Sequence, residues 1–98
     1  MEKYVITKAA VVDLIAWIVR EFGVVKFPEK KKSLWISFGG FRQVDVRMEI
    51  VVKSGLNIPE TVEKFRAKLA ASLEKLAGLN VRESTIIVRG LYDESVEN

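Results

Sequence analysis

Val44-Asp45-Val46-Arg47-Met48-Glu49-Ile50-Val51-Val52 alternates apolar and polar residues along almost its whole length. Successive side chains of a strand point to opposite faces, so this period of two describes a strand with one face packed and one wet. Val44, Val46, Met48, Ile50 and Val52 form the packed set; Gln43, Asp45, Arg47, Glu49 and Lys53, joined by Val51, form the wet one. Just upstream, Leu34–Phe38 reads as a second strand, and Gly39-Gly40 supplies the turn between them. Directly opposed residues share a sheet face, which excludes a two-residue loop, because that would set Ile36 against Gln43. A three-residue loop, Gly39-Gly40-Phe41, sets Ile36 opposite Val44 and Leu34 opposite Val46, with a bulge near the turn.

Working outward, residues 81–89 give the last strand, with Ile86 and Val88 on one face and Ile87 on the other. The segment between the strands is helical. Ile58-Pro59-Glu60 opens it, proline being tolerated where the first N–H groups have no partner, and Val62, Phe65, Leu69, Leu73 and Leu76 make one stripe. Gly78-Leu79 closes it in the manner of a Schellman motif. Toward the N-terminus, Lys8–Phe22 reads as a helix capped by Thr7 and ended by Gly23, with Val11, Leu14, Ile15, Ile18 and Phe22 on one face. Residues 4–6 suit a short edge strand, residues 24–27 are extended up to Pro28, and residues 91–98 read as a tail. The expected fold is a small two-layer α+β domain in the order (β)-α-β-β-α-β. Its sheet is mostly antiparallel, both helices lie on one face, and order runs over about residues 4–90.

Composition narrows the chemistry. The chain has 98 residues, no histidine and no cysteine, which suits a single domain and removes disulfides, thiolate nucleophiles, thiolate-held metals and the commonest general base. Its net charge of +3 is ordinary for a soluble domain. Nothing resembles an export signal, and the nearly apolar run at residues 9–19 is interrupted by Asp13 and far shorter than the ~20 residues of a membrane span. A cytoplasmic protein is expected. Asp45 and Glu49 share a sheet face but stand about 13 Å apart at the usual strand rise, beyond the spacing of paired catalytic carboxylates. Gly39-Gly40 has neither dinucleotide-binding nor phosphate-loop spacing. No catalytic residue, cofactor site or metal site is expected.

Three surfaces remain as candidates. The first helix is apolar around more of its circumference than one contact requires, with Val12, Trp17 and Val19 flanking the main stripe. The wet sheet face carries Trp35, Val51 and Ile87 among charged residues. Both read as protein-interaction surfaces as well as ordinary packing. Lys26 with Lys30-Lys31-Lys32 is the densest basic run, either a solvated loop or a contact for an anionic partner. The element order also admits a small RNA-binding module of KH-like or related α/β type. However, the chain lacks a Gly-x-x-Gly clamp between helices and an aromatic-rich strand motif.

The stretch Ile50-Val51-Val52-Lys53-Ser54-Gly55-Leu56-Asn57-Ile58-Pro59-Glu60 is followed by a helix. After the helix comes Gly78-Leu79-Asn80-Val81-Arg82-Glu83-Ser84-Thr85-Ile86-Ile87-Val88-Arg89-Gly90. This ordered set resembles the alkaline shock protein family of bacterial envelope-stress proteins: an apolar strand, Gly-x-x-Ile-Pro, a helix, Gly-Leu-x-Val, then alternating apolar residues before a glycine. The first helix and Gly23-Val24-Val25 fit the same pattern, so the resemblance covers about residues 5–91. Ser54 and Ser84 depart from it, standing where the family often has tyrosine and valine. The resemblance implies a non-enzymatic, cytoplasmic interaction protein linked to envelope homeostasis or stress. It also implies self-association and attachment to the inner membrane face through a membrane-anchored partner protein, without insertion of its own.

Overall fold

The computed structural model describes residues 4–93. Helix α1 spans Lys8–Phe22, and Thr7 caps it by accepting the Ala10 N–H on its hydroxyl at 3.1 Å. Gly23 ends the helix at φ 86°, a left-handed backbone that an L side chain rarely adopts. Helix α2 spans Ile58–Ala77; Asn57 Oδ1 accepts the Glu60 N–H at 2.9 Å. At its other end Gly78 sits at φ 68°, and the Leu79 N–H returns to the Leu73 carbonyl at 3.1 Å, the Schellman arrangement read from the sequence.

The strands are β1 (Val25–Lys26), β2 (Leu34–Phe38), β3 (Gln43–Lys53) and β4 (Asn80–Tyr92). β3 is the hub. β4 runs parallel to it over its full length, the return expected of a strand–helix–strand unit, whereas β1 and β2 pair antiparallel with it. β1 pairs with Val51 and Val52, and β2 pairs with Val44 to Met48. Because β4 occupies the opposite edge throughout, β1 and β2 lie end to end along one edge of β3, and residues 27–33 bridge the gap between them.

Both helices pack on the face that carries Ile36, Val44, Val46, Met48, Ile50 and Val52. α1 contributes Val11, Ile15, Ile18 and Val19; α2 contributes Phe65, Leu69 and Leu73. The rings of Phe22 and Phe65 meet at 5.3 Å between centroids with a 56° tilt, joining the helices. Two helices on one face of a mostly antiparallel sheet is the layer arrangement expected from the hydrophobic periodicities.

Four details differ from the expectations. Residues 4–6 form no strand, and only Ile6 packs on the core. Leu76 is exposed, because Ala77 rather than Leu76 follows Leu73 on the packed stripe. The hairpin register is shifted by two residues: Ile36 opposes Val46 and Leu34 opposes Met48. Gly39 donates to the Gln43 carbonyl at 2.9 Å and Gln43 to that of Gly40 at 3.1 Å, so the loop is Gly40-Phe41-Arg42. A shift of two preserves the faces, which is why the alternation could exclude odd slips but not this one. The left-handed position falls on Arg42, at φ 56°, and not on either glycine. Finally, β4 continues past Gly90: Leu91 and Tyr92 pair with Val52 and Lys53, so the expected tail is strand up to residue 92. Two register shifts, between Val44/Asp45 and Ile50/Val51, leave Arg82 and Arg89 as unmatched bulge residues on β4. Residues 94–98 of the expected tail lie outside the described residues.

Candidate interaction surfaces

The sheet face turned away from the helices is organised by ion pairs. Asp45 receives a two-pronged contact from Arg82, Nε at 3.1 Å and Nη2 at 2.5 Å. This hydrogen-bonded guanidinium holds the Asp45 carboxyl below its ordinary range. Glu49 is only 3% exposed although it belongs to the wet set of β3. Arg89 Nε and Nη2 lie at 3.0 and 3.3 Å from its two oxygens, and Lys30 Nζ lies at 2.7 Å. Those hydrogen bonds, from Arg89 first and Lys30 second, pull the Glu49 carboxyl down to about 2. The location explains the burial. Glu49 stands beside the gap between β1 and β2, where its own N–H donates to the Ser33 carbonyl at 2.8 Å. It therefore clamps the bridging loop on one side and β4 on the other. Both carboxylates thus serve as sheet fasteners.

Trp35 lies half-buried on the same face, with the Arg47 guanidinium 5.5 Å and the Lys32 ammonium 5.8 Å from its ring centroid. Val51 and Ile87 are also half-buried there. The structure separates this group from the first-helix group, since α1 covers the opposite side of the sheet. Val12 and Trp17 are exposed at 37% and 41%, but Val19 is a core residue at 4% and offers no surface.

The four lysines do not form one basic patch. Lys30 is bound to Glu49, Lys26 places its ammonium 4.4 Å from the Tyr92 ring centroid, and Lys32 leans toward Trp35. Lys31 is exposed beside them. A run of like charges in sequence is dispersed because its loop bridges two strand segments and sends successive side chains to different neighbours.

An exposed, largely apolar cleft escaped the reading of the sequence. Tyr4, Val5, Ile6, Phe38, Phe41, Ala77 and Leu79, with Arg42 and Gln43 at the turn, line an open cleft of about 520 Å3 at the hairpin end of the sheet. Phe41 is 85% exposed and Val5 87%. Two phenylalanines flanking a Gly-Gly pair were the available signal. Only the true register, which puts Phe41 at the tip of the loop, turns it into a surface.

Among the described residues no group of acidic side chains is placed to hold a metal ion, and no helix is long and apolar enough to cross a membrane. The fold is a small α+β domain that holds Asp45 and Glu49 in ion pairs on its outer sheet face and displays aromatic side chains at one end. Residues 26–92 match the model of the alkaline shock protein 23 family, of cell envelope-related function. The chain belongs to that family, as the ordered motifs around Gly55 and Gly78 led one to expect. No curated protein and no solved structure matches it.

Proposed function

We propose that the protein is an interaction module of the cell envelope that self-associates and is held at the inner membrane face by a membrane-anchored protein. The observation that carries this reading is the exposed, largely apolar cleft at the hairpin end, where Tyr4, Val5, Phe38 and Phe41 are all exposed. Such a surface on a domain this small fits the apolar side chains of a protein partner. Trp17 with Val12, and Trp35 with Val51 and Ile87, are further contact residues on this reading. The dispersed lysines give no continuous track for a phosphate backbone, so an RNA-binding role has no support.

The test has two arms. Sedimentation equilibrium over a concentration series reads self-association, with a mass above that of the single chain expected as concentration rises. Co-sedimentation with native inner membranes and with protein-free vesicles of the same lipids reads anchoring. Retention on native membranes alone, reduced at least severalfold by Phe41→Asp, is expected. A strict monomer would overturn self-association, and equal retention on protein-free vesicles would overturn a protein anchor.

A further inference from the structure

β4 is a strand of 13 residues, about 43 Å long, and among the described residues only its β3 edge is paired. The phase of its free groups follows from its ends. The Asn80 N–H donates to the Arg42 carbonyl, and the Tyr92 carbonyl accepts from Ser54. Carried through the bulges at Arg82 and Arg89, this alternation directs the backbone groups of Glu83, Thr85 and Ile87 to β3. Those of Ser84, Ile86 and Val88 face the open edge. The 2.5 Å contact of Arg66 Nη1 with the Ser84 carbonyl agrees, since that oxygen is turned away from β3. Exposed edges are usually blunted by lysine, proline or inward charge; Ser84-Thr85-Ile86-Ile87-Val88 has none of these in its own sequence and is rich in β-branched residues, and the charge that reaches it, Arg66 from α2, touches Ser84 at one end.

We infer that two copies of the chain pair antiparallel through this edge about a two-fold axis at Ile86, extending the sheet across both. This rests on the self-association reading and assigns that contact to the β4 edge, which leaves the hairpin-end cleft to the membrane-anchored partner. The sequence of β4 is self-complementary about that residue and no other. Glu83 falls opposite Arg89 of the second copy, twice by symmetry, and Thr85 falls opposite Ile87. Ser84 faces Val88, and Ile86 faces itself. Ser84, Ile86 and Val88, whose backbone groups point outward, are also the residues that would exchange about six hydrogen bonds across the axis. Arg89 uses Nε and Nη2 on Glu49, which leaves Nη1 for Glu83 of the other copy. Arg66 occupies one lone pair of the Ser84 carbonyl and leaves the second for a partner N–H. An edge contact of this length lies at the small end of interface sizes, so micromolar dissociation is expected.

The chain contains no cysteine, so introduced thiols report one contact each. Under mild oxidation, Thr85→Cys mixed with Ile87→Cys is expected to form a disulfide-linked heterodimer. Either variant alone forms far less, because each thiol then faces its copy only diagonally, beyond the ~7 Å Cα limit for a bridge. Glu83→Lys, at an exposed position, sets like charges opposite each other twice and is expected to weaken the dimer about tenfold by sedimentation. A dimer whose affinity is unchanged by Glu83→Lys, or one that cross-links equally from single variants, overturns the edge pairing while leaving self-association standing. A monomer at every concentration overturns both.

Discussion

Phe65→Ala is expected to remove about half of the stability of this domain. Phe65 is fully buried and holds α2 against α1 through the Phe22 ring, 5.3 Å away. A phenylalanine side chain buries roughly 150–200 Å2, worth about 4–5 kcal/mol at 25 cal/mol per Å2, and measured Phe→Ala costs in cores run about 3–5 kcal/mol. A domain of this size is stable by about 5–10 kcal/mol in all. With a urea slope of about 1–1.5 kcal/mol per M, the midpoint should fall by about 2–5 M, read by far-UV circular dichroism. Phe22→Ala, at a partly buried position, should cost less. The double variant should show about 0.5–1.5 kcal/mol of coupling from the ring pair. Trp17→Ala, 41% exposed on the far side of α1, should cost under about 1 kcal/mol. A Phe65→Ala loss below about 1.5 kcal/mol, or strict additivity with Phe22→Ala, would refute the packing of the two helices described above.

Glu49 makes stability pH-dependent in acid. Unfolded, its carboxyl takes a proton near the ordinary 4.5; folded, it does so only near 2. Between these values the unfolded chain binds more protons, so stability falls as pH drops from about 4.5 to 2, and this group contributes no slope above that window. Glu49→Gln should flatten that part of the profile in acid titrations of the urea midpoint. Arg42→Gly should stabilise the hairpin, since glycine relieves the φ of 56°. Losing the guanidinium contact with Phe41 offsets part of this, for a net gain of about 0.5 kcal/mol, or roughly 2–4 °C in Tm by calorimetry. Asn57→Ala removes the acceptor for the Glu60 N–H and should cost about 1 kcal/mol by thermal melting.

Much of the fold is legible in local signals because those signals are themselves local physics. Thr7, Gly23 and Gly78 mark helix ends through hydrogen bonds made within one turn, and the alternation along β3 sets which residues face the core. What escaped is set by partners distant in sequence. The hairpin register depends on a left-handed residue that turned out to be arginine. The continuation of β4 depends on Lys53 lying beside Tyr92, which no pattern in residues 90–92 announces. The candidate surfaces divide in the same way. Trp17 and Trp35 are exposed or half-exposed as their positions on the periodicities suggested, whereas Val19 is drawn into the core. The cleft at Phe41 required the true turn, and the burial of Glu49 required the gap between β1 and β2.

Helix α1 has a consequence for how this family is delimited. The family match begins at residue 26, yet Val11, Ile15, Ile18, Val19 and Val25 are all core residues upstream of it. A piece cut at the edge of the match would keep α2 on the inner sheet face but lose the α1 side chains that complete its cover. The matched span and the span that builds the core are different lengths here. A recombinant fragment, a fusion joint or a domain swap needs the longer one.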